Sequence, residues 1–446
     1  MTKQNSPLVL GTEPIGKLLT QYAIPAIIAM TASSLYNMAD SIFIGHGVGA
    51  LAISGLALTF PLMNLAAAFG SLVGVGASTL VAVKLGQKDY EGANNVLGNV
   101  LILNVVLGVA FTIAFLFLLD PVLYFFGASE NTISYARDYM RIILYGNVVT
   151  HMYLGLNAVL RSSGFPKMAM YATLASVVIN CALNPLFIFG FGWGIKGSAW
   201  ATVISQVISL TGQLIHFSRP KRLLHFKKGI YRLRSEIVKG ILSIGLSPFL
   251  MNLCSCLIVI LINRGLKEHG GDMAIGAYGI VNRIAFLFVM IIMGFNQGMQ
   301  PIAGYNYGAR LYSRVTDVTR LTMRWAVGVA TLGFLLCQLV PSWIVRMFTS
   351  DGELISAASY GLHIVFAVLG FQMVATNFFL SIGMSKKAIF LSLTRQMLFL
   401  IPCLIILPPL FGTLGVWISM PIADTVAAIV TAIVLVKQFK QFKYGT

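Results

Sequence analysis

The stretch Tyr36-Asn37-Met38-Ala39-Asp40-Ser41 puts a carboxylate, Asp40, inside a run that otherwise reads as a membrane-spanning helix. Only one other acid, Asp424, reads as buried in an apolar span. A carboxylate at membrane depth costs on the order of 2.5–3.5 kcal/mol on insertion scales, so it marks a functional site by default. Burial penalises the charged form, and uptake of a proton relieves that penalty. Pro25 lies earlier in the same run, where it removes a helical hydrogen bond and offers a place to bend. A buried acid on a bendable helix can respond to protonation. The competing reading makes Asp40 a solvated residue at the extracellular mouth, because Gly45, His46, Gly47 and Gly49 follow closely.

Other polar residues gather in the same half of the chain. Asn180 and Asn184 are four apart and share a helix face, with Pro185 next. Thr202, Ser205 and Gln206 fall in the sixth apolar run, and Tyr139, Asn147 and His151 in the fourth. Each alone is ordinary interhelical glue. As a set converging with Asp40 they describe a proton- or cation-responsive network. The ion-coupling candidates are Asp40, Asn180, Asn184, Thr202, Tyr36 and Tyr139. Candidates to line a substrate path are Met30, Asn147, His151, Gln206, Asn282, Gln297, Gln300 and Arg283. His151 and His363 stand alone in their runs, so packing or one satisfied hydrogen bond is expected of both. In the second half, Arg283 and Arg395 need partners at membrane depth. An Arg395–Asp424 or Arg283–Asp424 pair would give Asp424 a structural reason, and a functional one stays open.

The elements that position these residues are long and apolar. Hydrophobic residues make up 57% of the chain and charged residues 10%, with mean hydropathy +0.83; a soluble domain is typically about 25% charged. Continuous apolar runs long enough to cross the bilayer recur from end to end, which excludes the short alternating segments of a β-barrel. We place twelve spans at 17–43, 51–82, 94–119, 132–160, 167–189, 197–217, 238–263, 274–303, 322–345, 354–381, 387–410 and 413–436. With both termini inside, 23 of the 31 Lys and Arg fall on the cytoplasmic side and six on the other, which satisfies the positive-inside rule. The net charge of +17 therefore reports membrane orientation and predicts no nucleic-acid partner. Five cysteines all fall in apolar runs without metal-ligand spacing and read as small packing residues. The polar N-terminus has no cleavage-site pattern, so the first run is expected to be retained as a span.

The two halves repeat. Pro25 matches Pro248, Ala52-Ile53-Ser54-Gly55 matches Ala274-Ile275-Gly276-Ala277, and Gly76 and Gly86 match Gly298 and Gly308. Gly164-x-x-Lys167-x-Ala169 matches Gly383-x-x-Lys386-x-Ala388, and Gly194-x-x-Gly197 matches Gly412-x-x-Gly415. This implies an N-terminal lobe over 1–217, a cytoplasmic linker over 218–237 and a C-terminal lobe over 238–446. Asp40 aligns with Asn263, so the acid belongs to the first lobe only. Parallel six-span lobes usually hold a substrate path between them and move by rocking. The linker's basic run reads as a solvated connection, with contact to anionic headgroups as the alternative.

No Gly-rich phosphate loop and no His/Cys/Asp metal spacing stands out, so an enzyme is not expected. Any concentrating work must then come from an ion gradient. At this point the chain resembles the multidrug and toxic compound extrusion (MATE) family over essentially its whole length. The resemblance is carried by Pro25 with Asp40-Ser41-Ile42-Phe43-Ile44-Gly45, by Lys84-Leu85-Gly86-Gln87-Lys88-Asp89-Tyr90 and by Arg161-Ser162-Ser163-Gly164-Phe165-Pro166-Lys167. Asn184-Pro185-Leu186-Phe187-Ile188-Phe189-Gly190 and Gln300-Pro301-Ile302-Ala303-Gly304-Tyr305-Asn306-Tyr307-Gly308 add to it. It looks nearest to the bacterial DinF and MepA-type branch.

The resemblance implies an all-α, twelve-helix protein whose pseudo-symmetric six-helix lobes form a V-shaped central cleft. It implies a monomeric, multi-pass exporter in the bacterial cytoplasmic membrane, with no cofactor. Amphipathic, often cationic, small molecules would leave in exchange for H⁺ rather than Na⁺, although Na⁺ near Asp40 stays open. Asp40 matches the family's first-helix acid, and Tyr36, Tyr139, Asn180 and Thr202 fall at the polar members of that network. One departure is Asn184, where this branch often carries Asp. The acids of the NorM-type second-lobe site are also missing here. The alternative is a flippase for lipid or lipid-linked oligosaccharide, whose cleft would need cations such as Arg283 and Arg395. A non-transport sensor is a more distant reading.

Overall fold

Backbone N–H and C=O groups in hydrocarbon have no water to bond, so apolar runs of this length satisfy them as helices. The computed structural model describes residues 7–126, 128–347, 352–365 and 369–444, and every long regular element among them is helical. Residues 1–6 of the polar N-terminus and 366–368 of the tenth predicted span lie outside the described residues, as do the side chains of Asn37 and Met38. In chain order the helices are α1 (Ile15–Gly47), α2 (Ala50–Gly86), α3 (Tyr90–Phe125), α4 (Ile133–Tyr145), α5 (Asn147–Ser162), α6 (Pro166–Gly190) and α7 (Gly194–Phe217). They continue as α8 (Ser235–Gly271), α9 (Gly276–Gly308), α10 (Tyr312–Leu339), α11 (Pro341–Arg346), α12 (Gly352–Val365), α13 (Leu369–Ser381), α14 (Ser385–Phe411) and α15 (Thr413–Tyr444).

Nine of the described helices are long and apolar enough to cross a membrane: α1, α2, α3, α6, α8, α9, α10, α14 and α15. The fourth predicted span is a broken one, α4 and α5 being bent by 56° at Gly146. A Cβ there would meet the Val203 side chain at 2.5 Å, so the bend is seated against α7. The sixth predicted span is α7, whose hydropathy is lowered by Ser198, Thr202, Ser205, Ser209 and Gln213. All five are buried. They face protein and not lipid, which is how a polar helix stays at membrane depth. The tenth is carried by α12 and α13. Among the described residues, taking α4 with α5 and α12 with α13 gives twelve helical segments besides the short α11.

The repeat is written into the backbone. Lys88 and Arg310 are the two non-glycine residues with positive φ among those described, at 62° and 60°, and they stand at equivalent places just after Gly86 and Gly308. Gly164 and Gly383, at 95° and 75°, and Gly194 and Gly412, at 56° and 61°, pair in the same way. Both halves therefore turn corners with the same left-handed residues, where a side chain is strained and evidently tolerated only at the Lys88 and Arg310 corners.

Two compact units emerge from the packing. One comprises Ile28–Phe249 with the described residues up to Thr12; the other comprises Glu13–Ile27 with Leu250 onward. Their boundaries fall inside α1 and α8, beside Pro25 and Pro248, and not in the 218–237 connection. Backbone-to-backbone packing explains why. In the first unit a Cβ on Gly245 would lie 1.7 Å from the Leu72 carbonyl oxygen, and one on Gly76 would lie 2.0 Å from that of Ile241. The first half of α8 is thus pressed onto α2. In the second unit a Cβ on Gly298 would lie 2.6 Å from the Ala23 nitrogen, so the first half of α1 is pressed onto α9. Gly76 and Gly298 are repeat equivalents, and the same small-residue approach is used twice.

The connection after α7 is held, which differs from a freely solvated linker. Asn94, at the start of α3, donates to the Leu223 carbonyl at 3.2 Å and accepts from the His225 N–H at 3.0 Å. Asn99 donates to the carbonyls of Ile230 and Arg232 at 3.4 and 3.1 Å and accepts from the Arg234 N–H at 3.0 Å. Leu224 and Ile230 are buried beneath it. A Cβ on Gly98 would sit 2.2 Å from the Ile230 oxygen, so the segment lies flush on α3.

Candidate functional site

Asp40 is 5% exposed in the last third of α1. It is therefore not a solvated mouth residue. Asn184, from α6, donates its amide to Asp40 Oδ1 at 2.7 Å, and Ser198 Oγ, from α7, donates to the same oxygen. From there a chain of neutral groups extends inward. The Asn184 amide also reaches Asn180 Oδ1 at 2.9 Å, and the Asn180 amide donates to Thr202 Oγ1 at 3.1 Å. Tyr36 closes the set, its hydroxyl 2.9 Å from Thr202 Oγ1 and 3.5 Å from the Asn180 nitrogen. Tyr139, on α4, is fully enclosed beside Asp40, Tyr36 and Thr202.

Local sequence explains how three helices deliver these groups. Tyr36 and Asp40 are one turn apart on α1, Asn180 and Asn184 one turn apart on α6, and Ser198 and Thr202 one turn apart on α7. Three i, i+4 pairs face one another. Gly197 lets α7 come close, since a Cβ there would stand 3.0 Å from the Phe187 backbone. The structure thus brings all six ion-coupling candidates together and adds Ser198. Its signal was present: Ser198 follows Gly197 and precedes Thr202 by one turn. One detail is unusual for a buried amide, because Asn184 Oδ1 has no hydrogen-bond partner among the described residues.

The substrate-path candidates are not collected in this way. His151 Nε2 lies 3.0 Å from the Ala66 carbonyl and the Asn147 amide 3.4 Å from that of Gly108, so both tie helices together. Gln206 accepts from Thr150 at 2.5 Å, and Met30 is half-buried on α1. Gln297 and Gln300 are half-buried on α9, while Asn282 and Arg283 are exposed there. Arg395 Nε donates to Asp424 Oδ1 at 2.5 Å, so these two form a pair and Arg283 is not its member. Arg395 lies in a π-helical turn, Thr394–Leu400, within α14. Among the described residues no cluster of three His, Cys, Asp or Glu could hold a metal ion.

This fold and this buried acid are those of a polytopic transporter, and comparison with known proteins gives the family. The MatE family matches the chain twice, over residues 25–186 and 244–406, once per half. The chain belongs to the MatE family, whose members are transporters and not enzymes. It is 29% identical to the multidrug export protein MepA of Staphylococcus haemolyticus (strain JCSC1435), covering 93% of this chain and 92% of that one. It is 28% identical to MepA of Staphylococcus aureus (strain N315), over 95% and 94%. A solved structure of the MATE multidrug transporter DinF-BH superposes with TM-score 0.89 at 38% identity, covering 98% of each chain. A MATE crystal structure in the bent conformation gives TM-score 0.93 at 26% identity over 99% of each.

Proposed function

We propose that this protein exports amphipathic small molecules, cationic ones among them, across the bacterial cytoplasmic membrane by alternating access, in exchange for a cation that binds at Asp40. The relatives named for multidrug export and the family membership support efflux. The observation that carries the coupling role is the geometry of the carboxylate. Two donors, Asn184 Nδ2 and Ser198 Oγ, converge on Oδ1, and no base is bonded to Asp40 among the described residues. Oδ2 is left as the oxygen that takes a proton.

Charge-assisted hydrogen bonds are roughly twice as strong as neutral ones. Protonating Asp40 weakens its hold on α6 and α7 together, and frees α1 to bend at Pro25, where the helix lacks a hydrogen bond. Substrate release would follow that bend. Na⁺ is the second reading, favoured by the unpartnered Asn184 Oδ1 beside the carboxylate, since hard cations take oxygen ligands. The flippase reading loses a cation, because Arg395 is engaged by Asp424.

The test is dye efflux from proteoliposomes under separately imposed pH and Na⁺ gradients. Wild type should export under one of them, and Asp40→Asn should fold, insert and export under neither. Undiminished gradient-driven export by Asp40→Asn would end the proposal.

A further inference from the structure

The segment between α7 and α8 carries eight bases against one acid, Glu236, over residues 219–239. Its backbone is fixed from below by Asn94 and Asn99, and its apolar side chains Leu224 and Ile230 are turned into the protein. What remains outside is a rigid basic surface. Arg219, Lys221, Lys227, Lys228, Arg232 and Arg234 are all exposed, and none of them belongs to an ion pair among the described residues. Asp89 feels the charge of Arg234, but its oxygens are already bonded to Lys84 and to the Gly92 N–H. Arg222 is accounted for separately, stacked over the Phe165 ring at 4.7 Å.

We infer that this docked segment is a binding surface for anionic phospholipid headgroups of the leaflet on its side of the membrane. Four observations combine. The segment runs directly from the end of one span to the start of the next, so it sits at the height of the headgroups. It is preformed, so little ordering entropy opposes binding. Its six exposed bases are in no ion pair among the described residues and outnumber the segment's one acid, and a polybasic surface beside an anionic leaflet gains about 1 kcal/mol per base. Finally, Tyr231 and Leu233 are exposed and alternate along the chain with Arg232 and Arg234. Aromatic and aliphatic groups interleaved with bases suit a boundary that is part phosphate and part hydrocarbon. The inference is independent of ion coupling at Asp40.

The full-length protein in neutral detergent, titrated with phosphatidylglycerol or phosphatidylcholine, tests it through the shift in thermal midpoint. Phosphatidylglycerol should stabilise wild type saturably and phosphatidylcholine should not. The variant Lys228→Gln/Arg232→Gln/Arg234→Gln should need about tenfold or more phosphatidylglycerol for the same shift. A variant with equal loss of charge elsewhere, Lys386→Gln/Lys437→Gln/Lys440→Gln, should stay within about twofold of wild type. Asn99→Leu keeps every base but removes the anchor, and should also weaken the response. Equal loss in both triple variants would mean that bulk charge alone is read, and no loss in either would remove the site. Saturation of the same shift by inorganic phosphate or a short oligonucleotide would show that the surface takes any polyanion. Each of these three results overturns the inference.

Discussion

Asn184 donates its side-chain amide to the carboxylate of Asp40 across 2.7 Å, from a residue 144 positions further along the chain. The bond joins α6 to α1 and places a neutral amide where a second carboxylate would face the first. Two adjacent carboxylates repel unless one holds a proton. With Asn184 the site can hold its single charge without that condition.

Replacing Asn184 by Leu should therefore leave Asp40 with Ser198 as its only donor and cost about 1–3 kcal/mol of stability. Thermal unfolding in detergent reads this directly. Asn184→Asp should fold best in acid, its deficit relative to wild type shrinking as pH falls from 8 to 5. A deficit constant across that range would show that the two side chains do not interact.

Arg395 and Asp424 make the opposite kind of contact, a buried ion pair with Asp424 almost wholly enclosed. Arg395→Gln should be destabilising by about 3–5 kcal/mol, since it strands a carboxylate in an apolar span. The double variant Arg395→Met/Asp424→Leu should recover most of that loss. If it also restores efflux, the pair is structural. Restored folding without efflux would instead make it part of the transport cycle.

Gly245→Ala tests the helix approach inside the first unit. The added Cβ has the Leu72 carbonyl oxygen 1.7 Å away, so backbone must move, and overpacking of that kind costs at least about 1–3 kcal/mol. Gly212→Ala on α7 has open space and should be neutral or slightly stabilising. Monodispersity on gel filtration after a heat ramp separates them. Equal survival would mean the helices are less tightly apposed than the structure has them.

Asp89 lies at the corner between α2 and α3, outside the spans. Its hydrogen bond to Lys84, reinforced by the Gly92 N–H, holds its carboxyl below the ordinary carboxylate range against the opposing pull of burial. A depressed folded-state value means stability that is present at neutral pH and disappears as pH falls through that value. Wild type should thus lose more stability than Asp89→Asn between pH 7 and pH 3, with the two curves converging at the acid end. Parallel curves would remove the Asp89 contribution.

Much of this was legible in the residues. Hydropathy located the spans, and the one-turn spacing of Asn180 with Asn184 pointed the right face of α6 at Asp40. Ser198 was harder to single out, because a serine after a glycine in a helix reads as packing and its partner is 158 residues away. Asn147 and His151 show the complementary difficulty. Whether a polar group faces a path or a neighbouring carbonyl depends on helix rotation, about 100° per residue, which composition does not set. The basic connection was opaque for another reason. A charge run looks the same loose or docked, and its anchors bind backbone carbonyls, which every sequence has.

The placement of the unit boundaries inside α1 and α8 has a consequence for biosynthesis. The first unit is not complete when its sixth span leaves the ribosome; it also needs the connection and the chain as far as Phe249. The Glu13–Ile27 segment is made almost first, yet the helices it packs against are made only after the midpoint of the chain. Domains usually mature in the order they emerge. Here the earliest membrane segment is synthesised well before the glycines of α9 that it packs against, Gly294 and Gly298, exist.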